Sequence, residues 1–272
     1  MSFYLTLPSN SSMTFHPENT LTHYFTQLPK TIQLDGEWEV GLAEIQFPHT
    51  WNNVTKPLGM MVTGEIYETH RLPDQVTAKD RYAIARRLSS IHNLPPPIYI
   101  EIPPGFYTLE TMTEVVMRGL REAQEHAVKV YYNTPQKTVT IHVPENKTLY
   151  LDRELQSLWY IPTHVFQGTE NSTHPIDLNQ GLHGLYVYTN VVEHQVVGDV
   201  MVPLLRIVPI DHTLSGTTLS HSYQRIFYLS TNGKQFSSVE IDIKDDTGQS
   251  IPFQVGKVNV TLHFRKRKPS LF

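Results

Sequence analysis

The chain has 272 residues, with 22 Lys and Arg against 26 Asp and Glu and no cysteine. That balance leaves no global basic field to hold a nucleic acid, and the missing thiols exclude disulfides, thiol catalysis and cysteine-ligated metals while fitting a reducing compartment. Nineteen prolines against fourteen glycines, with many Thr, Val, Ile and Tyr, favour strands joined by turns, and the length suits one β domain carrying an insertion.

Met1 to Asn10 contains no basic segment followed by an apolar stretch, so no secretory signal is expected. No run of about 18 apolar residues occurs, so no membrane-spanning helix is expected either. Without a signal, the five Asn-x-Ser/Thr sites at Asn10, Asn53, Asn146, Asn171 and Asn259 read as chance matches in a chain rich in Asn, Ser and Thr.

Phe3 to Leu7 alternates and stops at Pro8-Ser9-Asn10, which predicts a short strand. A second apolar stretch runs from Leu21 to Leu28. Thr31 to Leu34 then leads into Asp35-Gly36, a turn pair. Trp38, Val40 and Leu42 follow in period two. The phase then slips by one, to Ile45 and Phe47, which predicts a β-bulge near Ala43. Thr63 to Arg71 reads as a further strand. Asp80 to Ser90 fits a short helix or a strand, and Pro95-Pro96-Pro97 reads as a rigid spacer at a boundary.

The next block differs in character. Ile98, Ile100 and Ile102 alternate. Thr108 is placed to cap a helix in which Leu109, Met112, Val115, Val116, Leu120 and Ala123 keep helical spacing. A hairpin follows, Val128 to Tyr132 and Val139 to Val143, then a short strand at Leu149 to Leu151 and a short helix from Asp152, its expected cap, through Trp159. Residues 98–161 therefore read as an inserted β-α-β-β-α subdomain. Residues 162–183 read as a return linker. Strands resume at Leu185 to Val192, Val202 to Ile210, Tyr223 to Leu229 and Val239 to Ile243, and a clean two-residue period closes the series from Val258 to Phe264. Without the insertion, eight or nine antiparallel strand candidates remain, enough for a jelly-roll sandwich built from 1–97 plus 162–272.

The residues that could carry chemistry favour plainer roles. Asp246-Thr247-Gly248 is the aspartyl-protease triplet, but charged Lys244 and Asp245 precede it where an apolar strand is required, and a β-turn accounts for it. None of the fourteen histidines falls in a His-Glu-x-x-His spacing, and His16, His49, His92, His174 and His212 read as solvated loop residues. His23, His142 and His263 fall in predicted strands, on their polar faces. No nucleophile elbow, phosphate loop or dinucleotide fingerprint occurs. No catalytic, cofactor or metal residue is therefore assigned, and the protein is expected not to be an enzyme. The basic run Arg265 to Lys268 has three readings, a nuclear address, a contact to packaged nucleic acid or a solvated tail, and its shortness favours the last.

Several stretches together resemble one family. They are Phe3 to Ser12, Gly36 to Ile45, Pro48 to Asn53, Leu185 to Asn190, Phe236 to Ile243 and Gly256 to Phe264. In that order they resemble the minor capsid, or penton, proteins of Polinton (Maverick) elements and related virophages and adintoviruses. Residues 49–97 match least. The resemblance implies a jelly-roll capsid protein forming a homopentamer at each fivefold vertex of an icosahedral shell, beside trimers of a double jelly-roll major capsid protein. It implies a virion location, with synthesis in the host cytoplasm and assembly there or in the nucleus. It carries over no catalytic residue and no cofactor. An insertion on the outer face could also reach a host receptor or glycan. The alternative reading is a receptor- or glycan-binding jelly roll without a shell.

Overall fold

The computed structural model describes residues 1–64, 76–212 and 216–267. The chain runs through β1 (Ser2–Pro8), β2 (His23–Gln33) and β3 (Trp38–Pro48). It then enters a second unit: β4 (Leu58–Thr63), α1 (Ala78–His92), β5 (Ile98–Ile102), α2 (Leu109–Glu122), β6 (Lys129–Asn133), β7 (Thr138–Val143), β8 (Thr148–Leu151), α3 (Arg153–Leu158), β9 (Val165–Phe166) and β10 (Gly168–Asn171). It returns with β11 (Gly184–Thr189), β12 (Gln195–Val197), β13 (Val200–Val202), β14 (Leu204–Pro209), β15 (Thr218–Ser222), β16 (Leu229–Ser230), β17 (Gln235–Lys244) and β18 (Asn259–Lys266). Two compact units result, one from Met1–Trp51 with Gly181–Phe272, the other from Asn52–Gln180.

The first unit is an antiparallel jelly-roll sandwich. One sheet has the order β1-β18-β3-β15, with β16 also on β3; the other has the order β14-β11-β17-β2. The pairing is nested. Of the eight main strands the first pairs with the last, β2 with β17, β3 with β15, and β11 with β14, so the chain is one long hairpin rolled up on itself. Strand alternation builds the core. Val260, Leu262 and Phe264 of β18 face Val239, Ile241 and Ile243 of β17 across the sandwich, with Val40, Leu42 and Leu185 among them, all inaccessible to solvent. Phe3, Phe264 and Phe236 stack in series at ring spacings of 4.9 and 5.5 Å. The phase slip in β3 is a true bulge: Thr261 pairs with Glu44 and Leu262 with Leu42, leaving Ala43 as the extra residue. Its carbonyl accepts the Tyr223 N–H at 2.9 Å instead.

The second unit holds a four-stranded sheet, β5-β4-β8-β9, and a three-stranded one, β10-β7-β6, around a core of its own. The insertion is thus wider than the 98–161 expected. Every residue of β4 is buried, because β4 is a central strand between β5 and β8, so the segment before Pro95-Pro96-Pro97 belongs with the segment after it. The expected linker 162–183 contributes β9 and β10 to the same two sheets. Asp80 to Ser90 is helical. Thr77 caps α1 by accepting the Asp80 N–H at 3.2 Å, and the buried side is Ala78, Arg81, Ala85 and Ser89. The strand expected over Thr63 to Arg71 lies, beyond Gly64, outside the described residues.

Asp152 does not cap α3. Its two carboxylate oxygens accept the Gly59 and Ala78 N–H groups, each at 2.6 Å, so it ties β4 to the start of α1. Thr108 does cap α2, in a reciprocal box with Thr111. Among the described residues no helix is long and apolar enough to cross a membrane.

Candidate functional site

Asp246-Thr247-Gly248 forms a surface turn after β17. The Asp245 carboxylate closes it, accepting the Thr247 N–H at 2.9 Å, the Thr247 hydroxyl at 2.7 Å and the Gln249 N–H at 2.8 Å. Gly248 sits at φ +83°, which only glycine adopts without strain. Asp246 itself is exposed, so the triplet has none of the enclosure that two carboxylates need to share a proton.

The histidines are less uniform than the sequence suggests. His49, expected in a solvated loop, is fully buried; its ring lies 4.2 Å from Trp51 and 5.5 Å from His212, which is 5.8 Å from His183. His221 flanks the same end of the sandwich, stacked on Phe47, and burial lowers its pKa, with Asp211 opposing. Sequence reasoning missed this cluster because its members come from four separate segments. Among the described residues no three His, Asp or Glu side chains converge as a metal-ligand set. His23 and His142 are exposed on their strands as expected.

In the second unit a cavity of about 440 Å³ is lined by Lys56, Lys79, Tyr99, Glu101, Asp152 and Glu154. Burial raises the Asp152 pKa while its two backbone N–H bonds oppose the shift. Burial, then Glu101 and Asp152, push the Tyr99 hydroxyl up. Lys79 pairs with Glu101 at 3.2 Å and Lys56 with Glu154 at 3.4 Å, so these four charges offset one another in pairs.

The sandwich presents its chemistry on its two outward faces. On the β14-β11-β17-β2 sheet, Tyr188, Glu240, Asp242 and Lys244 line a groove of about 500 Å³, overhung by Val202 and Pro203. Its polar groups already have partners: Glu240 lies 2.9 Å from His23 Nε2, and Lys244 donates to Asp242 at 2.9 Å, a hydrogen bond that raises the Lys244 pKa. Beside the groove stands the β12–β13 hairpin, which among the described residues shares a strand ladder with no other strand. Val196, Val200 and Met201 on it are 72%, 51% and 58% exposed.

On the opposite sheet the outward residues form an aromatic platform. The Tyr4 ring stacks on His263 at 4.3 Å, the Tyr228 hydroxyl meets His263 Nδ1 at 2.6 Å, and the Arg265 guanidinium lies 3.6 Å over the Tyr228 ring while pairing with Glu39. Burial, then Arg265, lower the His263 pKa. Tyr4 and Phe227 are each 62% exposed. The residues 223–228, expected in a strand, instead strap this face, and they fit because position 41 is glycine: a Cβ there would meet the Phe227 carbonyl oxygen at 2.4 Å. Gly41→Ala is expected to lift the strap and cost about 1–3 kcal/mol in overpacking, read as a lower thermal midpoint with the sandwich otherwise intact.

Exposed apolar and aromatic side chains on rigid strands are an arrangement suited to binding. No family model matches the sequence, and no curated protein does. Among solved structures the fold is similar to the mavirus penton protein, at a TM-score of 0.48 and 9% identity, over 97% of this chain and 99% of that one. It is also similar to a chain in the cryo-EM structure of the Sputnik virophage, at a TM-score of 0.47 and 10% identity, over 97% and 98%.

Proposed function

We propose that the chain is a structural minor capsid protein: a penton that assembles as a homopentamer at the fivefold vertices of an icosahedral shell, with a double jelly-roll major capsid protein as its neighbour. The reading extends to a Polinton-like element and to the virion as location, with synthesis in the host cytoplasm. One observation carries it. Five of the six stretches on which the family resemblance rests fall mainly on strands that pair with one another: Phe3 to Leu7 in β1, Trp38 to Ile45 in β3 and Val260 to Phe264 in β18 are adjacent, as are Leu185 to Thr189 in β11 and Phe236 to Ile243 in β17. The similarity therefore lies in the framework of the sandwich, and a stiff framework is what fixes the angle between copies in a closed ring.

Light scattering after size exclusion tests the reading. The expected mass is near five times the 31.3 kDa chain. A single-chain mass at high concentration, together with no recruitment to trimers of the major capsid protein, would overturn it. The groove beside Tyr188 favours a second reading, a glycan-binding jelly roll, since it sets an aromatic ring among amide and carboxylate groups. Saturable binding on a glycan array by a protein that stays monomeric would select that reading.

A further inference from the structure

We infer that the β12–β13 hairpin of one copy docks on the aromatic platform of the next, head to tail. This rests on the proposed function only for the number of copies in the ring; the contact itself follows from the surfaces.

The hairpin is built to protrude. Val191 and Val192 anchor its root in the sandwich core, and the Glu193 N–H donates to the Ser230 carbonyl at 3.1 Å. Beyond that root Gln195–Val197 pairs as a strand only with Val200–Val202, with the turn at Gly198 in the left-handed region at φ +62°, and the Gln195 side-chain amide donates to the Leu204 carbonyl of β14. A two-stranded ribbon tied only at its base has little to hold the shape of its tip in water. This one carries three exposed apolar side chains, an arrangement that makes sense when something covers them.

The platform has the composition of an interface anchor, since Tyr and Arg concentrate where binding energy is concentrated. It is also prearranged. Tyr4, His263, Tyr228 and Arg265 already stack and hydrogen-bond with one another, so covering them orders few side chains.

Charge complementarity selects the occupant. Residues 193–202 contain Glu193 and Asp199 and no Lys or Arg. Asp199 lies at the hairpin tip between Val196 and Val200. The platform is edged by exposed Arg225 and Lys266, and by Arg265, which pairs with Glu39. An acidic apolar tip and a basic aromatic face fit each other, and each would repel its own kind.

The placement of the two surfaces sets the symmetry. The hairpin stands beside the outward face of one sheet and the platform is the outward face of the other, so they lie on opposite sides of the same sandwich. Copies joined this way meet through two different patches. That is a heterologous contact, able to close a ring of any number, whereas a self-complementary patch closes at two.

The test is the mass of the full chain by light scattering across a concentration series, for the wild type, Asp199→Arg, Arg225→Glu, Phe227→Ser, and the double variant Asp199→Arg with Arg225→Glu. Each single variant is expected to raise the concentration for half-assembly at least about tenfold, and the charge-swapped pair to recover most of that loss. Circular dichroism and the thermal midpoint of each variant confirm that the fold is kept, and the recovery in the swapped pair cannot come from misfolding. A pentamer untouched by all four changes overturns the hairpin contact and leaves the vertex reading standing. An assembly of another number that depends on these residues supports the contact and overturns the pentamer. A wild type that stays a single chain at every concentration overturns the contact, and recruitment to a shell then decides the vertex reading separately.

Discussion

Lys147→Met is expected to destabilise the second unit by about 3 kcal/mol at neutral pH, with the loss shrinking as the solution is acidified. Glu125 is 4% exposed, and its carboxylate accepts the Ala127 N–H at 2.9 Å and the Val128 N–H at 3.3 Å. Lys147 forms its ion pair. Burial pushes the Glu125 pKa up, but Lys147 and the two amides outweigh it and hold the group below its usual value. A depressed folded-state pKa contributes stability above the unfolded value of about 4.3, and that contribution is lost as pH falls through the lower folded value. Methionine keeps the stem that packs and removes the charge, leaving a buried carboxylate without its cation. Without Lys147 the folded pKa rises from its depressed value, because burial is then opposed by the two amides alone. The variant's deficit is therefore largest above that raised value and fades as acid neutralises the carboxyl. Urea midpoints for both proteins at pH 7 and near pH 4.5 measure this. An equal deficit at the two pH values would show that lost packing, not the uncovered charge, is responsible.

Trp159→Ala is expected to cost about 3–5 kcal/mol, the range for removing a large aromatic from a core that cannot collapse around the gap. Trp159 is fully buried just past the end of α3; its backbone N–H donates to the Leu155 carbonyl at 3.0 Å, and its indole N–H points at the Met112 sulfur, 3.1 Å away on α2. It therefore fastens two helices to one core, and Trp159→Phe should recover more than half of the loss by refilling most of the volume. The measurement has a built-in separation. Among the described residues all three helices lie in the second unit, while Trp38 and Trp51 lie in the sandwich. Helical circular dichroism follows one unit and the remaining tryptophan fluorescence follows the other. A shift confined to the helical signal means that the units unfold independently; a common shift means that they are coupled.

The framework was legible in the sequence wherever one face of a strand is wet. Val258 to Phe264 and Val239 to Ile243 alternate because each has a polar outer face, and the slip after Leu42 located the bulge at Ala43. Thr108 and the apolar stripe of α2 placed that helix because its buried residues are large. The boundary of the insertion was not legible, for a related reason. In β4 every residue is buried, so Leu58 to Thr63 has no alternation to read. In α1 the buried face is Ala78, Arg81, Ala85 and Ser89, small or polar residues that leave no apolar stripe. The prolines at 95–97 then looked like an edge, although they join α1 to a strand that pairs back onto β4. The surfaces proposed for assembly were hidden for a different cause. Tyr4, Tyr228 and His263 are far apart in the chain, and only the nested pairing of β1 with β18 brings them together.

That nesting also sets an order of events during synthesis. Ser2 pairs with Arg265 and Phe3 with Phe264, so β1 has to wait for its partner until synthesis has passed β18. Residues 52–180 need no such wait. They are contiguous, hold a core of their own, and begin and end side by side, Gln180 Nε2 reaching the Asn53 carbonyl at 3.5 Å. The inserted unit can fold while β1, β2 and β3 still expose Leu7, Tyr24, Val40 and Leu42 to solvent. The nascent sandwich is accordingly the aggregation-prone part of the molecule, and slow translation or a chaperone that shields those three strands would improve its yield more than any help given to the insertion.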